Sequence, residues 1–193
     1  METVKIKHRT FEILERLSLD NFIATRKGKE YFVRQFDPLS DEGKELAYSL
    51  KKLASSGVKI PKLVLLDEKH GYAVSEIIVG EKMSDYLSHS DMTDNLYEQL
   101  FQNAYFAKYF HITLDYEPEH WCIYNNTLYY MRPLCILFKK EKDLIDRYIR
   151  LWFNTKELAN YLANLGKKYD KSRLKDEYLT NKEIVLTICK YYR

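Results

Sequence analysis

The chain has 193 residues, 46% of them hydrophobic and 15% aromatic, a composition that excludes an intrinsically disordered protein and supplies a buried core for one domain or for two small lobes. Cys122, Cys135 and Cys189 lie far apart without CxxC spacing, which excludes a zinc ribbon or a disulfide framework and points to packed thiols in a reducing cytoplasm. The net charge is +3 and unevenly spread: residues 139–193 hold 14 Lys or Arg against 8 Asp or Glu, and residues 1–138 hold 17 against 20.

No stretch has a signal-peptide pattern, and no apolar run approaches the roughly 18 residues of a membrane span, so a soluble cytoplasmic protein is expected. The basic excess of the last third is interleaved with apolar residues at helical spacing, which reads as a solvated helix face. A nucleic-acid surface built on Lys167, Lys168, Lys171, Arg173, Lys175 and Lys182, with Tyr169 and Tyr178, is the weaker reading of the same residues.

In chain order, TFEILERL, NFIATRK and EYFVRQF are short, rich in β-branched and aromatic residues, and separated by turn residues such as Lys27-Gly28-Lys29; they predict three antiparallel strands. SDEGKELAYSLKKLASSG predicts a helix capped by Ser40 or Asp41, with Leu46, Leu50 and Leu53 on one stripe and a stop at Ser55-Ser56-Gly57. KLVLLDE and YAVSEIIV, joined at Lys69-His70-Gly71, predict two more strands. The first part thus reads as a five-stranded sheet with one helix after its third strand.

After Gly80 the period changes to helical. KMSDYL predicts a short helix, and NLYEQLFQNAYFAKYFHI a longer one with Leu96, Leu100, Ala104, Ala107 and Phe110 on one stripe. WCIYNNTLYYM predicts a hairpin turning at Asn125-Asn126, because asparagine tolerates the positive φ of a tight turn. Helices are expected at about 139–152, at 154–165 with Asn154 or Thr155 as cap and Gly166 as stop, and at 180–191. Trp121 and Trp152 read as core anchors.

The order of these elements resembles the protein-kinase-like fold: an α+β, two-lobed architecture with a sheet lobe over 1–79 and a reduced, mainly helical lobe over 80–193, folded as one compact domain. The small bacterial and lipopolysaccharide-kinase-like members are the ones it resembles. AVSEIIVGEKMSDYL is similar to the fifth strand, hinge and following helix, with Glu76 and Ile78 at hinge positions; YFVRQF is similar to the third strand, with Arg34 where the family has its phosphate-pairing lysine. Glu45, or Glu42, stands where the pairing glutamate would be. LDYEPEHW resembles the catalytic loop, with Asp115 at the position of the base and His120 five residues on, where a metal-binding asparagine is expected. Arg132 stands where the second metal-binding residue, an aspartate, is expected.

The departures decide the function that this resemblance implies. Leu17-Ser18-Leu19-Asp20-Asn21-Phe22 has no glycine to let backbone amides approach phosphates. Magnesium takes oxygen ligands, whereas His120 offers nitrogen and Arg132 a permanent positive charge with no lone pair. Only seven residues separate Met131 from the helix expected near Lys139, too few for a peptide-docking activation segment. The resemblance therefore implies a degenerate, pseudokinase-like protein that needs no cofactor, leaves room for bound ATP but not for ordinary magnesium coordination, and acts by binding a protein partner. The alternative is an active, atypical phosphotransferase for a small molecule or a lipopolysaccharide, with Asp115 as base and Arg34 and Arg132 on phosphates. His120 also has a plain reading as a hydrogen-bonded loop histidine, and Asp115 as a loop brace.

Overall fold

The computed structural model describes residues 2–192 as an α+β protein that divides into two compact units. Among these residues, no helix is long and apolar enough to cross a membrane.

The first unit comprises the residues up to Ser55 together with Ile60–Val79. It holds β1 (Thr3–Ile6), β2 (Arg9–Arg16), β3 (Asn21–Arg26), β4 (Lys29–Gln35), α1 (Asp41–Ser56), β5 (Leu63–Asp67) and β6 (Tyr72–Ser75). The strands form one antiparallel sheet in the order β1-β2-β3-β4-β6-β5. It has six strands, not the five expected. The additional one, TVKI, is only four residues long and its turn carries no glycine or asparagine, so the local sequence marks it weakly. Lys7 itself adopts φ 52° there, and its amide donates to the buried Asp67 carboxylate at 3.1 Å, which holds the unusual turn.

Ile6, Phe11, Phe22, Ala24, Val33 and Val74 pack as the core of this unit. In α1, Ser40 Oγ accepts the Gly43 amide at 3.0 Å, satisfying a donor the helix leaves open. A Cβ at Gly43 would lie 1.8 Å from the Asp37 carbonyl oxygen, so the close approach of this first turn requires glycine. The sixth strand is shorter than YAVSEIIV predicts: it ends at Ser75, and the Glu76 amide turns to the Lys62 carbonyl at 3.0 Å.

The second unit comprises Ser56–Lys59 and the residues from Gly80 on. Its elements are β7 (Glu81–Lys82), α2 (Met83–His89), α3 (Asp94–Tyr109), β8 (Ile112–Thr113), β9 (Trp121–Tyr124), β10 (Thr127–Tyr130), β11 (Ile136–Leu137), α4 (Lys156–Asn164) and α5 (Glu177–Tyr191). α3 is capped by Thr93 Oγ1, which accepts the Leu96 amide at 3.3 Å, and it buries Leu96, Leu100, Ala104 and Ala107 of the predicted stripe, whereas Phe110 follows the helix as its C-cap and is half-buried. β9 and β10 form the expected hairpin, with Asn125 at φ 48° and Asn126 at φ 57°. Thr155 caps α4, and Gly166 follows it at φ 71°.

The helix expected over 139–152 is not a continuous α-helix. It is a 3-10 turn at Lys140–Lys142, a π-helical turn at Leu144–Tyr148 and a second 3-10 turn at Ile149–Trp152. Asp143 breaks it: its backbone is extended, with ψ 159°, and its carboxylate accepts the Leu144 amide at 2.8 Å, the local competition by which aspartate interrupts helices. Trp121 and Trp152 are fully buried, with ring centroids 5.9 Å apart in an edge-on contact.

Candidate functional site

The second unit gathers three of the residues singled out in the sequence. β8 and β11 pair antiparallel, Thr113 opposite Ile136, so the loop that follows β8 and the segment that precedes β11 run side by side. The β9–β10 hairpin springs from the first of these and returns to the second. Asp115, His120 and Arg132 therefore meet although the first and the last are 17 positions apart.

Aromatic side chains fix this loop. The Trp121 indole donates to the Asp115 carbonyl at 3.0 Å, and the Trp152 indole to the Tyr116 carbonyl at 2.9 Å. The Tyr130 hydroxyl accepts the Asp115 amide at 3.2 Å and donates to the Leu134 carbonyl at 2.8 Å. One buried phenol thus ties both segments, and desolvation raises its pKa far above the ordinary tyrosine value. On the far side, Glu119 is held by Lys82 and Ser84, and its amide donates to the Tyr161 hydroxyl at 3.3 Å.

Within this frame Arg132 Nη1 donates to Asp115 Oδ2 in a short ion pair. Asp115 Oδ1 accepts the Glu117 amide at 3.2 Å. His120 Nε2 lies 3.4 Å from Asp115 Oδ2 and 3.3 Å from Arg132 Nη1; protonated, that nitrogen donates to the carboxylate, and unprotonated it accepts from the guanidinium. Burial opposes ionisation of Asp115, but the His120 hydrogen bond, the Glu117 amide and the charges of His120 and Arg132 outweigh it and hold the carboxyl below its ordinary value.

Glu117 is a residue the sequence reading missed. Ligand atoms of Asp115, Glu117 and His120 all lie within 4.8 Å of one another, and the D-x-E-x-x-H spacing was the available signal. Two carboxylates and an imidazole are a donor set for manganese or zinc rather than for magnesium. Arg132 works against such an ion: its guanidinium is bonded to one of the carboxylates and lies beside the imidazole, so a positive charge is already in the group.

The first unit treats its candidate residues differently. Arg34 Nε donates to Asn21 Oδ1 at 3.1 Å, and the guanidinium carbon lies 5.7 Å from the Phe32 ring centroid; burial lowers its pKa. The expected pairing with Glu45 or Glu42 is not made. The apolar stripe of α1 takes the buried side and leaves both glutamates exposed, and among the described residues Arg34 has no ion pair. Glu76 pairs with Lys29 at 3.2 Å, and Ile78 is half-buried in the stretch that leaves β6. The glycine-free turn after β2 folds on itself, with the Leu17 and Ser18 amides both donating to the Asn21 carbonyl.

Of the basic residues weighed as a nucleic-acid surface, Lys167 pairs with Asp85, Arg173 with Asp91 and Lys175 with Glu183. Half of that set is therefore neutralised within the chain. No protein-family model matches the sequence, and comparison with curated proteins gives no match.

Proposed function

We propose that this chain is a degenerate kinase-like protein that has lost metal-dependent phosphoryl transfer and works by binding, as a regulatory or scaffolding module. One observation carries the reading: Arg132 forms an ion pair with Asp115, the acid at the position of the base. A carboxylate already committed to a guanidinium is a poor proton acceptor, and its lowered pKa takes it further from one. The same guanidinium stands beside the only nitrogen donor of the cluster, where a divalent ion would have to enter. Phosphoryl transfer depends on such an ion to neutralise developing charge. The α+β class, with an antiparallel sheet and one helix in the first unit, is compatible with the reading, although the sheet has six strands rather than five.

An active small-molecule phosphotransferase is the second reading, favoured by the closeness of Asp115, Glu117 and His120. One assay separates the two: ATP hydrolysis and phosphotransfer measured with magnesium and with manganese, on the wild type and on Asp115→Asn. The binding reading predicts equal rates for both proteins, at the level of the buffer. Turnover by the wild type that disappears in the variant would overturn it and establish the second reading.

A further inference from the structure

β10 pairs with β9 along one edge, and among the described residues no strand covers its other edge. That edge presents backbone groups of the alternate residues Asn126, Leu128 and Tyr130, which a further strand would ordinarily take up. The Gln99 side chain on α3 takes two of them: its Nε2 donates to the Asn126 carbonyl at 2.8 Å, and its Oε1 accepts the Leu128 amide at 2.8 Å. The Lys59 carbonyl takes the third, accepting the Tyr130 amide at 2.8 Å. Lys59 is held to α3 in turn. Asn103 Oδ1 accepts its amide at 2.7 Å, while Asn103 Nδ2 donates to the Gln99 carbonyl at 2.8 Å. The stretch Ser56–Lys59 belongs to the second unit and is seated there: Val58 is buried, and a Cβ on Gly57 would lie 3.3 Å from the Phe106 ring of α3. Asn103 is buried as well, and a buried amide is retained without cost only where both its ends are bonded, as they are here.

We infer that Gln99 and Asn103 are positioning residues of the candidate site, and that Lys59 is the strap through which Asn103 acts. The route is short. Fixing the Tyr130 amide places the phenol of the same residue, which accepts the Asp115 amide and donates to the Leu134 carbonyl. Trp121, opposite Tyr130 in the hairpin, donates its indole proton to the Asp115 carbonyl. Arg132 leaves the hairpin two residues after Tyr130 and meets the Asp115 carboxylate. The edge of β10 and the ion pair are therefore one connected network, in which α3 supplies the side that a strand would otherwise supply. Without Gln99 or Asn103 a buried donor or acceptor loses its partner, and the hairpin relieves that loss by moving towards water. Anything that draws Lys59 away from Asn103 releases the Tyr130 amide, so the strap is also the place from which the site can be opened. The inference rests on the proposed reading in one respect only, that the Asp115–Arg132 pair is the feature that sets the behaviour of the site.

Nuclear magnetic resonance of the full chain tests this. The sequence has 2 tryptophans, so the native spectrum holds two indole N–H signals, and that of Trp121 reports its bond to the Asp115 carbonyl. Loss of global stability alone does not move a native-state signal. Asn103→Ala is expected to keep the wild-type circular dichroism spectrum and to move the Trp121 signal upfield by more than its linewidth, as the indole bond lengthens. Gln99→Glu keeps the acceptor for the Leu128 amide, loses the donor to the Asn126 carbonyl and should move the signal in the same direction. Gln102→Ala, at an exposed position of the same helix, should leave it in place. If Asn103→Ala does not fold, Gln99→Glu, at a half-buried position, decides alone. A folded variant at 99 or 103 whose Trp121 signal coincides with the wild type, or a Gln102→Ala shift as large as theirs, would overturn the inference. ATP turnover is not read, so failure here is told apart from failure of the proposed function.

Discussion

Asp115 concentrates the physics of the site in one side chain. Its carboxylate is only 22% exposed, and it stays ionised because Arg132, His120 and the Glu117 amide face it. The folded-state pKa lies below the value of about 3.9 expected for an unfolded chain. The group therefore contributes stability that is present above the unfolded pKa and is lost as pH falls through the folded one. Replacing it by asparagine should destabilise the protein by about 1–2 kcal/mol near neutrality, a figure held down because Arg132 is 40% exposed and solvent screens it. Urea titrations of both proteins should show that difference shrinking below about pH 4. A difference that stays constant down to pH 2 would mean that the ion pair contributes nothing.

At this scale the sequence was informative about types and silent about partners. The residue types at 115, 120 and 132 were legible, and so was the inability of Arg132 to ligate a metal ion, because a guanidinium has no lone pair to give. Glu117 was overlooked because it falls at no expected family position, although it enters the cluster through its own spacing. The Arg34–Glu45 pair was anticipated from motif order alone, which does not contain the rotation of α1 that leaves Glu45 in solvent.

Among the elements, those with strong local chemistry were the readable ones. The apolar stripe of α3 recurs at helical spacing, and the cap of α4 lies three residues from the amide it accepts, so both are marked by local sequence. The β9–β10 turn is equally local. Asn125 and Asn126 both take positive φ, a conformation that a β-branched residue reaches only at a cost of about 1–2 kcal/mol. Asn126→Val should therefore lower the urea midpoint of unfolding and leave the denaturant slope unchanged, whereas Asn126→Gly should match or exceed the wild type. Equal stability of the valine variant would show that this turn does not constrain the hairpin that carries His120 to Arg132.

Elements governed by distant contacts were not readable. β1 exists because Ile6 is buried in the core of the sheet and Asp67, sixty residues away, accepts the Lys7 amide. The broken segment over 140–152 has an apolar period that suits a helix. What stops it is the Asp143 carboxylate, and what shapes it is the burial of Leu144, Tyr148, Ile149 and Trp152. Local propensity gives no warning of either.

For the whole molecule, composition and period carry as far as an α+β chain with a sheet-rich first part and a helical second part, because those properties are averages over many residues. Strand number and activity turn on single contacts and do not follow from averages. The reading of the molecule as a non-catalytic binding module rests on one charge: the Arg132 guanidinium, which is paired with Asp115 and lies beside His120.

Manganese titration followed by electron paramagnetic resonance tests that charge directly. The wild type should leave the ion free at millimolar concentration. Arg132→Asp, which removes the guanidinium and adds an oxygen donor, should bind it at least about tenfold more tightly, a gain of roughly 1.4 kcal/mol. Wild-type binding as tight as that of the variant, and abolished by Asp115→Asn, would contradict the account.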